Sequence, residues 1–139
     1  MKMLLALDPF GGSEKVLVEA VKQAKQQGAA LVILAVAETF QDTEHAYEGL
    51  AGASEALFAQ VRRNAEEVKL AAIRQGVTPT ILVEAGPSPA QHILDCAGQE
   101  KVDLIIMGHR EKKGLDRFLL GSVASKVIAH AQCSVLVVR

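Results

Sequence analysis

Tryptophan is missing from this 139-residue sequence, and one Tyr and four Phe make up the whole aromatic content, 4% of the chain. A core built without aromatics has to be aliphatic, packed from Leu, Ile, Val and Ala, and flat platforms for stacking bases are few. Cysteine is almost as scarce. Cys96 and Cys133 stand far apart, in neither a CxxC pattern nor a metal-ligand spacing, so two reduced structural thiols are expected.

An excess of one charge is missing too. Lys and Arg number 15 against 16 Asp and Glu, a formal net charge of −1, which offers no general attraction to nucleic acid or to an anionic membrane. No run approaches the roughly 18 apolar residues of a membrane span. Met1-Lys2 leads straight into a short apolar stretch with no signal-peptide core, so a cytoplasmic protein is the expectation. Catalytic signatures are also lacking: no Walker GxxxxGK[ST], no GxGxxG after the first strand, no GxSxG elbow and no paired-histidine motif. His92 has no second His or Cys in ligand spacing and reads as a surface or packing histidine.

What is present is aliphatic periodicity. Hydrophobic residues are 50% of the chain, enough to bury one core, and residues 1–139 read as one domain. Met3–Leu7 and Leu31–Ala37 are short continuous apolar runs, the pattern of strands buried on both faces. Between them Ser13 stands as a cap, Leu17, Ala20, Val21 and Ala24 form a helical stripe, and Gly28 follows as a terminator. Glu38–Gly52 is acidic and weakly periodic, an expected exposed loop with some helical turn. From Ser54, the residues Leu57, Phe58, Val61, Ala65, Val68 and Ala72 mark a long amphipathic helix that stops at Gly76. Thr80–Glu84 reads as a third strand, and Ser88-Pro89 with Gln91 as a helix start with a capping box. Val123, Val127 and Ile128 are the expected buried face of a last helix, and Ser134–Val138 is a fifth strand. Five strands alternating with four helices predict a doubly wound α/β domain, a mostly parallel sheet with helices on both faces.

Val102–Ser125 holds the stretch with chemical character. An apolar run from Leu104 to Met107 stops at Gly108, a charged segment follows, and Gly121-Ser122 opens the last helix. A glycine at a strand's carboxyl end admits close backbone approach, and a helix start offers free N–H groups and the positive dipole end to an anion. The order reads as a phosphate cradle. Asp8 stands at the end of the first strand, on the edge where open α/β sheets bind ligands.

This segment resembles the nucleotide-binding motif of the universal stress protein family, Gly-x2-Gly-x9-Gly-Ser/Thr, whose amides and hydroxyl hold the phosphates of ATP. The first glycine falls on Gly108 and the last pair on Gly121-Ser122, while Glu111 takes the second glycine position. Like charges about 4 Å apart repel by roughly 4 kcal/mol near a protein surface. Glu111 is therefore expected to weaken ATP binding. Arg110, Lys112, Lys113 and Arg117 read either as the charged face of a solvated loop or as cations that modulate binding, with Arg110 or Arg117 meeting Glu111 or a phosphate. Gly86 and Ile93 match a further Gly-x6-Ile pattern frequent in the family. The chain runs Asp8-Pro-Phe-Gly-Gly-Ser13-Glu14 where the family has Asp-Gly-Ser-Glu, a longer loop beside the site.

The resemblance implies strand order 3-2-1-4-5, with the first and fourth strands adjacent at a switch point. It implies a nucleotide site drawn from Ala6, Asp8, Val36, Met107, Gly108, Gly121, Ser122, Val123 and Ala124. In that site Asp8 meets the base or sugar end, and Val36 and Met107 are apolar walls. The implied function is a regulatory module that binds ATP or a related adenine nucleotide, with Mg2+ accompanying it, and turns it over slowly at most. The alternative is a dimeric interaction protein of the same family without nucleotide binding. The apolar terminal strand is expected at a sheet edge, where a second copy pairs with it into a homodimer.

Overall fold

A computed structural model describes residues 1–9, 14–39, 48–109 and 120–139, with backbone alone for 48–53. Its elements run β1 (Lys2–Leu7), α1 (Glu14–Gln27), β2 (Ala30–Glu38), α2 (Glu48–Arg74), β3 (Thr80–Gly86), α3 (Pro89–Gln99), β4 (Leu104–Gly108), α4 (Ser122–His130) and β5 (Ser134–Val138). The strands form one parallel sheet in the order β3-β2-β1-β4-β5, a doubly wound α/β architecture.

The alternation of side chains along each strand divides the aliphatic residues between two cores. Met3, Leu5, Ile33, Ala35 and Ile106 face α1 and α2, where Leu17, Ala20, Val21, Val61 and Ala65 meet them. Leu4, Val32, Leu34, Ile105 and Met107 face α3 and α4, where Ala90, Ile93, Ala97, Ala124 and Val127 complete the opposite layer. The central strand β1 is therefore covered on both sides, and Met3, Leu4 and Leu5 are wholly inaccessible. That is why the run Met3–Leu7 shows no polar alternation.

Three helices end by one device. Ala29 N–H donates to Ala24 O at 2.9 Å, Val77 N–H to Ala72 O at 3.0 Å and Val102 N–H to Ala97 O at 3.0 Å, each closing a Schellman-type end. Such an end needs a residue in the left-handed region, supplied by Gly28 (φ +60) and Gly76 (φ +96), and after α3 by Lys101 (φ +53). A side chain in that region costs on the order of 1 kcal/mol.

Several sequence expectations are corrected. Helix α2 begins at Glu48, not near Ser54; a nucleated helix adds one bond per further residue at little cost, so it extends through a segment without clear periodicity. Residues 40–47 of the expected acidic loop lie outside the described residues, as does Ser13, the expected cap of α1. Ile128 is 46% exposed rather than buried. The buried face of α4 runs through Ala124 and Val127, and one residue on from Val127 turns about 100° away from it. The capping box at α3 is half formed. Ser88 Oγ accepts from Gln91 N–H at 3.3 Å, but the Gln91 amide donates forward to Asp95 Oδ1 at 2.9 Å instead of back to the cap. Among the described residues no helix is long and apolar enough to cross a membrane.

The junction of β3 with α3 turns on Gly86. Thr39 N–H donates to Gly86 O at 2.9 Å, tying the end of β2 to the end of β3. The His92 ring occupies the space a Cβ at Gly86 would need, and its Nδ1 lies 2.7 Å from Glu84 Oε2. Gly86→Ala is expected to displace the ring from Glu84 and destabilise the fold by about 1–3 kcal/mol in urea unfolding. In a His92→Ala background the same substitution should be neutral or stabilising by about 0.4–1 kcal/mol, because only the entropy loss of the unfolded chain remains. Equal costs in both backgrounds would refute the steric account.

Candidate functional site

The site is set by the pairing of β1 with β4, in which Ala6 stands opposite Met107. One step further along, Leu7 and Gly108 come level, and Asp8 follows at the same carboxyl edge. From that edge β1 leads to α1 on one face of the sheet, while β4 leads on to α4 on the other. Adjacent strands whose chains depart to opposite faces leave a crevice at their carboxyl ends.

The structure brings the expected residues to this edge in two groups. Ala6, Val36, Met107 and Ala124 form one contiguous apolar floor on the α4 side, all of them buried. Val36 and Met107 are each only 4% exposed, so they support the crevice from beneath more than they wall it. Asp8 is half-buried above that floor.

Gly121 is buried and stands as the N-cap of α4 in extended backbone (φ −60, ψ 155). The helix opens with Ser125 N–H donating to Gly121 O at 2.9 Å. The amides of Ser122, Val123 and Ala124 therefore precede the first donor of the helix, the position where an anion is favoured. Ser122 is exposed and takes no part in capping, and Val123 is half-buried.

Gly108 has a packing reason for being glycine. A Cβ there would lie 3.1 Å from Val16 Cγ2 on α1, so the first helix already fills the space a side chain needs. Close approach of a ligand is an additional use of the same residue.

One residue at this edge was not singled out from the sequence. His109 N–H donates to Val138 O at 2.8 Å, which carries the ladder of β4 with β5 one residue past Gly108. Strand alternation then sets His109 on the face of Met107, the α4 side. Both of its ring nitrogens are shut off from solvent and have no hydrogen-bond partner in the structure. The signal in the sequence is weak, a histidine at the start of a charged segment. Only the extension of the ladder takes it out of that loop.

The three expected modulators Arg110, Glu111 and Arg117 lie outside the described residues, as do Lys112, Lys113 and Phe10–Ser13 of the longer loop. Among the described residues no group of His, Cys, Asp or Glu is gathered closely enough to hold a metal ion. A groove of about 960 Å³ opens elsewhere, between α3 and α4, and its lining of Leu94, Val102, Ile105, Lys126, His130 and Cys133 includes none of the expected site residues. Burial raises both thiols, Cys96 to about 11 with Glu84 and Glu100 adding to the effect, so they hold their protons at neutral pH as packing residues do.

The donors open at the crevice are the chemistry an oxyanion asks for, free amides at a helix start and an exposed hydroxyl, and an unsatisfied imidazole lies buried at the end of β4. The donor set fits a nucleotide phosphate, and the apolar floor with Asp8 fits its other end.

Comparisons with known proteins agree with this architecture. The model of the universal stress protein family matches residues 1–139. The universal stress protein YxiE of Bacillus subtilis is 35% identical over 146 residues, which span 99% of this chain and 98% of the relative. Among solved structures, the universal stress protein UspA from Lactobacillus plantarum superposes with a TM-score of 0.84 at 25% identity, covering 100% of this chain and 97% of that one. A universal stress protein from Archaeoglobus fulgidus in complex with dAMP has a TM-score of 0.74 at 19% identity, with 100% and 98% covered. Another universal stress protein, in complex with cAMP, has a TM-score of 0.72 at 20% identity, with 100% and 97% covered. These last two likenesses are of fold.

The orphaned imidazole makes a direct prediction. A buried polar group without a partner costs about 1–3 kcal/mol, so His109→Leu, which removes both nitrogens at similar volume, is expected to raise the ligand-free stability by about 1 kcal/mol in urea unfolding. A loss of stability would mean that the ring nitrogens are satisfied in solution.

Proposed function

Because the chain belongs to the universal stress protein family, we propose that residues 1–139 act as one regulatory domain holding ATP or a related adenine nucleotide at the carboxyl edge of β1 and β4. The observation that carries this reading is His109, whose two ring nitrogens are buried and unpartnered one residue past the end of β4. The fold neighbours bound to dAMP and cAMP support adenine as the base.

In this reading the phosphates lie over the first turn of α4, where the amides of Ser122, Val123 and Ala124 and the Ser122 hydroxyl donate to them. Gly121 and Gly108 keep the backbone within reach, and Asp8 meets the sugar or base above the floor of Ala6, Val36 and Met107. Arg110, Glu111 and Arg117 adjust the phosphate end, with Glu111 opposing it. Mg2+ enters with the nucleotide rather than on a protein cluster, and its role when bound is to neutralise phosphate charge. Phosphoryl transfer needs a positioned metal and nucleophile. No residue of the site is assigned either task, and turnover is slow at most.

A second reading has its own observation. Strand β5 lies at the sheet edge, and Val135, Leu136, Val137 and Val138 are all only half-buried. Leu120 and Ile128, before and on α4, are 36% and 46% exposed. An apolar edge strand with free backbone groups pairs with a second copy about a two-fold axis. The protein is then a homodimer through β5, which accompanies nucleotide binding or, in an interaction protein without a ligand, replaces it.

Thermal unfolding with and without AMP or Mg-ATP tests the first reading. Nucleotide at a hundred times its dissociation constant should stabilise the fold by about 2.7 kcal/mol, and Ser122→Ala should weaken the effect for AMP more than for adenosine. No shift with either nucleotide at millimolar concentration leaves the interaction protein as the reading. Sedimentation at micromolar concentration tests the dimer: Leu136→Lys is expected to give a monomer, and a dimer indifferent to that change moves the interface elsewhere.

A further inference from the structure

Helix α2 carries a residue that its own surroundings do not explain. Asn64 lies between Val61 and Ala65, which are 1% and 0% exposed in the core. Asparagine is a poorer helix former than alanine by several tenths of a kcal/mol, so it is an unfavourable choice in mid-helix. Its side chain is spent outside the helix: Asn64 Nδ2 donates to Pro9 O at 2.9 Å, across 55 positions of sequence. Pro9 directly follows Asp8.

The contact is the end of a directional relay. Arg63 Nη2 donates to Gln60 Oε1 at 2.7 Å, Gln60 Nε2 donates to Asn64 Oδ1 at 3.0 Å, and Asn64 Nδ2 donates to the Pro9 carbonyl. A guanidinium has only donors and a carbonyl only acceptor sites. The two ends therefore fix which way both amides face, and the Asn64 N–H is aimed at Pro9 by the pair behind it.

The proline restricts the neighbouring residue as well. A residue before proline is pushed to extended backbone, so Asp8 is constrained through its own dihedrals, and the Pro9 that follows it is held at its carbonyl by Asn64. We propose that Asn64 is a positioning residue for Asp8, holding the Pro9 carbonyl against α2, one residue past Asp8, so that the carboxylate meets the sugar or base end of the ligand. The inference rests on the adenine-nucleotide reading. It adds α2 to the elements that build the site, through a side chain absent from the glycine motif.

The test is calorimetric titration of the full chain with adenosine and with AMP, for the parent, Asn64→Ala, Asp8→Ala and the double variant. Alanine is the better helix former, so Asn64→Ala keeps α2, and circular dichroism should show the helix unchanged. Losing one neutral hydrogen bond that orders the peptide should weaken adenosine and AMP by the same factor, about threefold to tenfold. Gln60→Leu, which leaves the Asn64 amide unaimed, should weaken both by a smaller factor. In the double variant the Asn64 change should add nothing to Asp8→Ala, since the two act through one contact. Parent-like affinity in Asn64→Ala, or additive losses in the double variant, overturns the inference alone. A parent that binds neither compound overturns the nucleotide reading itself and this inference with it.

Discussion

The pairing of β1 with β4 is the constraint on which the rest depends. Parallel strands cannot be joined by a hairpin, so each strand of this sheet is reached by a helix crossing one face. The right-handed sense of those crossings leaves little freedom in which face it is. Putting β4 beside β1 reverses the direction in which the sheet grows, so α1 and α4 must cover opposite faces. Asp8 and Gly108 then stand together at the carboxyl edge between the two helices. Shifting the Ala6–Met107 register by one residue would send Met107 to the wrong core and move Gly108 off Val16. The crevice is thus fixed by apolar packing beneath it, and ligand chemistry acts on a frame already determined.

The same point separates two kinds of glycine at the sheet's carboxyl edge. Gly86 and Gly108 each lie where a neighbouring side chain, His92 or Val16, takes the room of a Cβ. Packing contributes to both, by crowding at Gly108 and by the seat of the His92 ring at Gly86. Gly121 is different: it is the cap of α4 without a side-chain bond, so it leaves the first amides of the helix uncovered where Ser or Asp would have satisfied one of them. A motif of glycines therefore records two demands, close helix packing at its start and open donors at its end.

What could be read from the residues follows from the range of the interaction behind each feature. β1 and β2 were legible because burial on both faces leaves a continuous aliphatic run, and the ends of α1 and α2 because Gly28 and Gly76 are local requirements. The order of the strands was not in the periodicity and came with the family motif. Ile128 was misplaced because a helical face narrower than its hydrophobic stripe leaves one apolar residue outside. The relay ending on Pro9 was invisible, since Asn64 and Pro9 meet only after α2 has docked on the sheet. His109 was hidden for a similar reason: it belongs to β4's face only because Val138 extends the ladder.

An unsatisfied imidazole at the edge of a well-packed sheet is a local defect in an otherwise consistent fold. Its cost, about 1–3 kcal/mol, corresponds to a factor of roughly five to a hundred in an equilibrium constant. A ligand whose acceptor satisfies the ring recovers that free energy on binding, on top of its contacts with the α4 amides. A water that enters the same space recovers it without the ligand, and the advantage is lost. In the nucleotide reading a ligand gains from the ring only where the site rearranges to expose a nitrogen, because both are shut off from solvent here. In that reading the preference for an oxyanion at this edge comes first from the open amides at the start of α4, which Gly121 leaves without a side-chain cap.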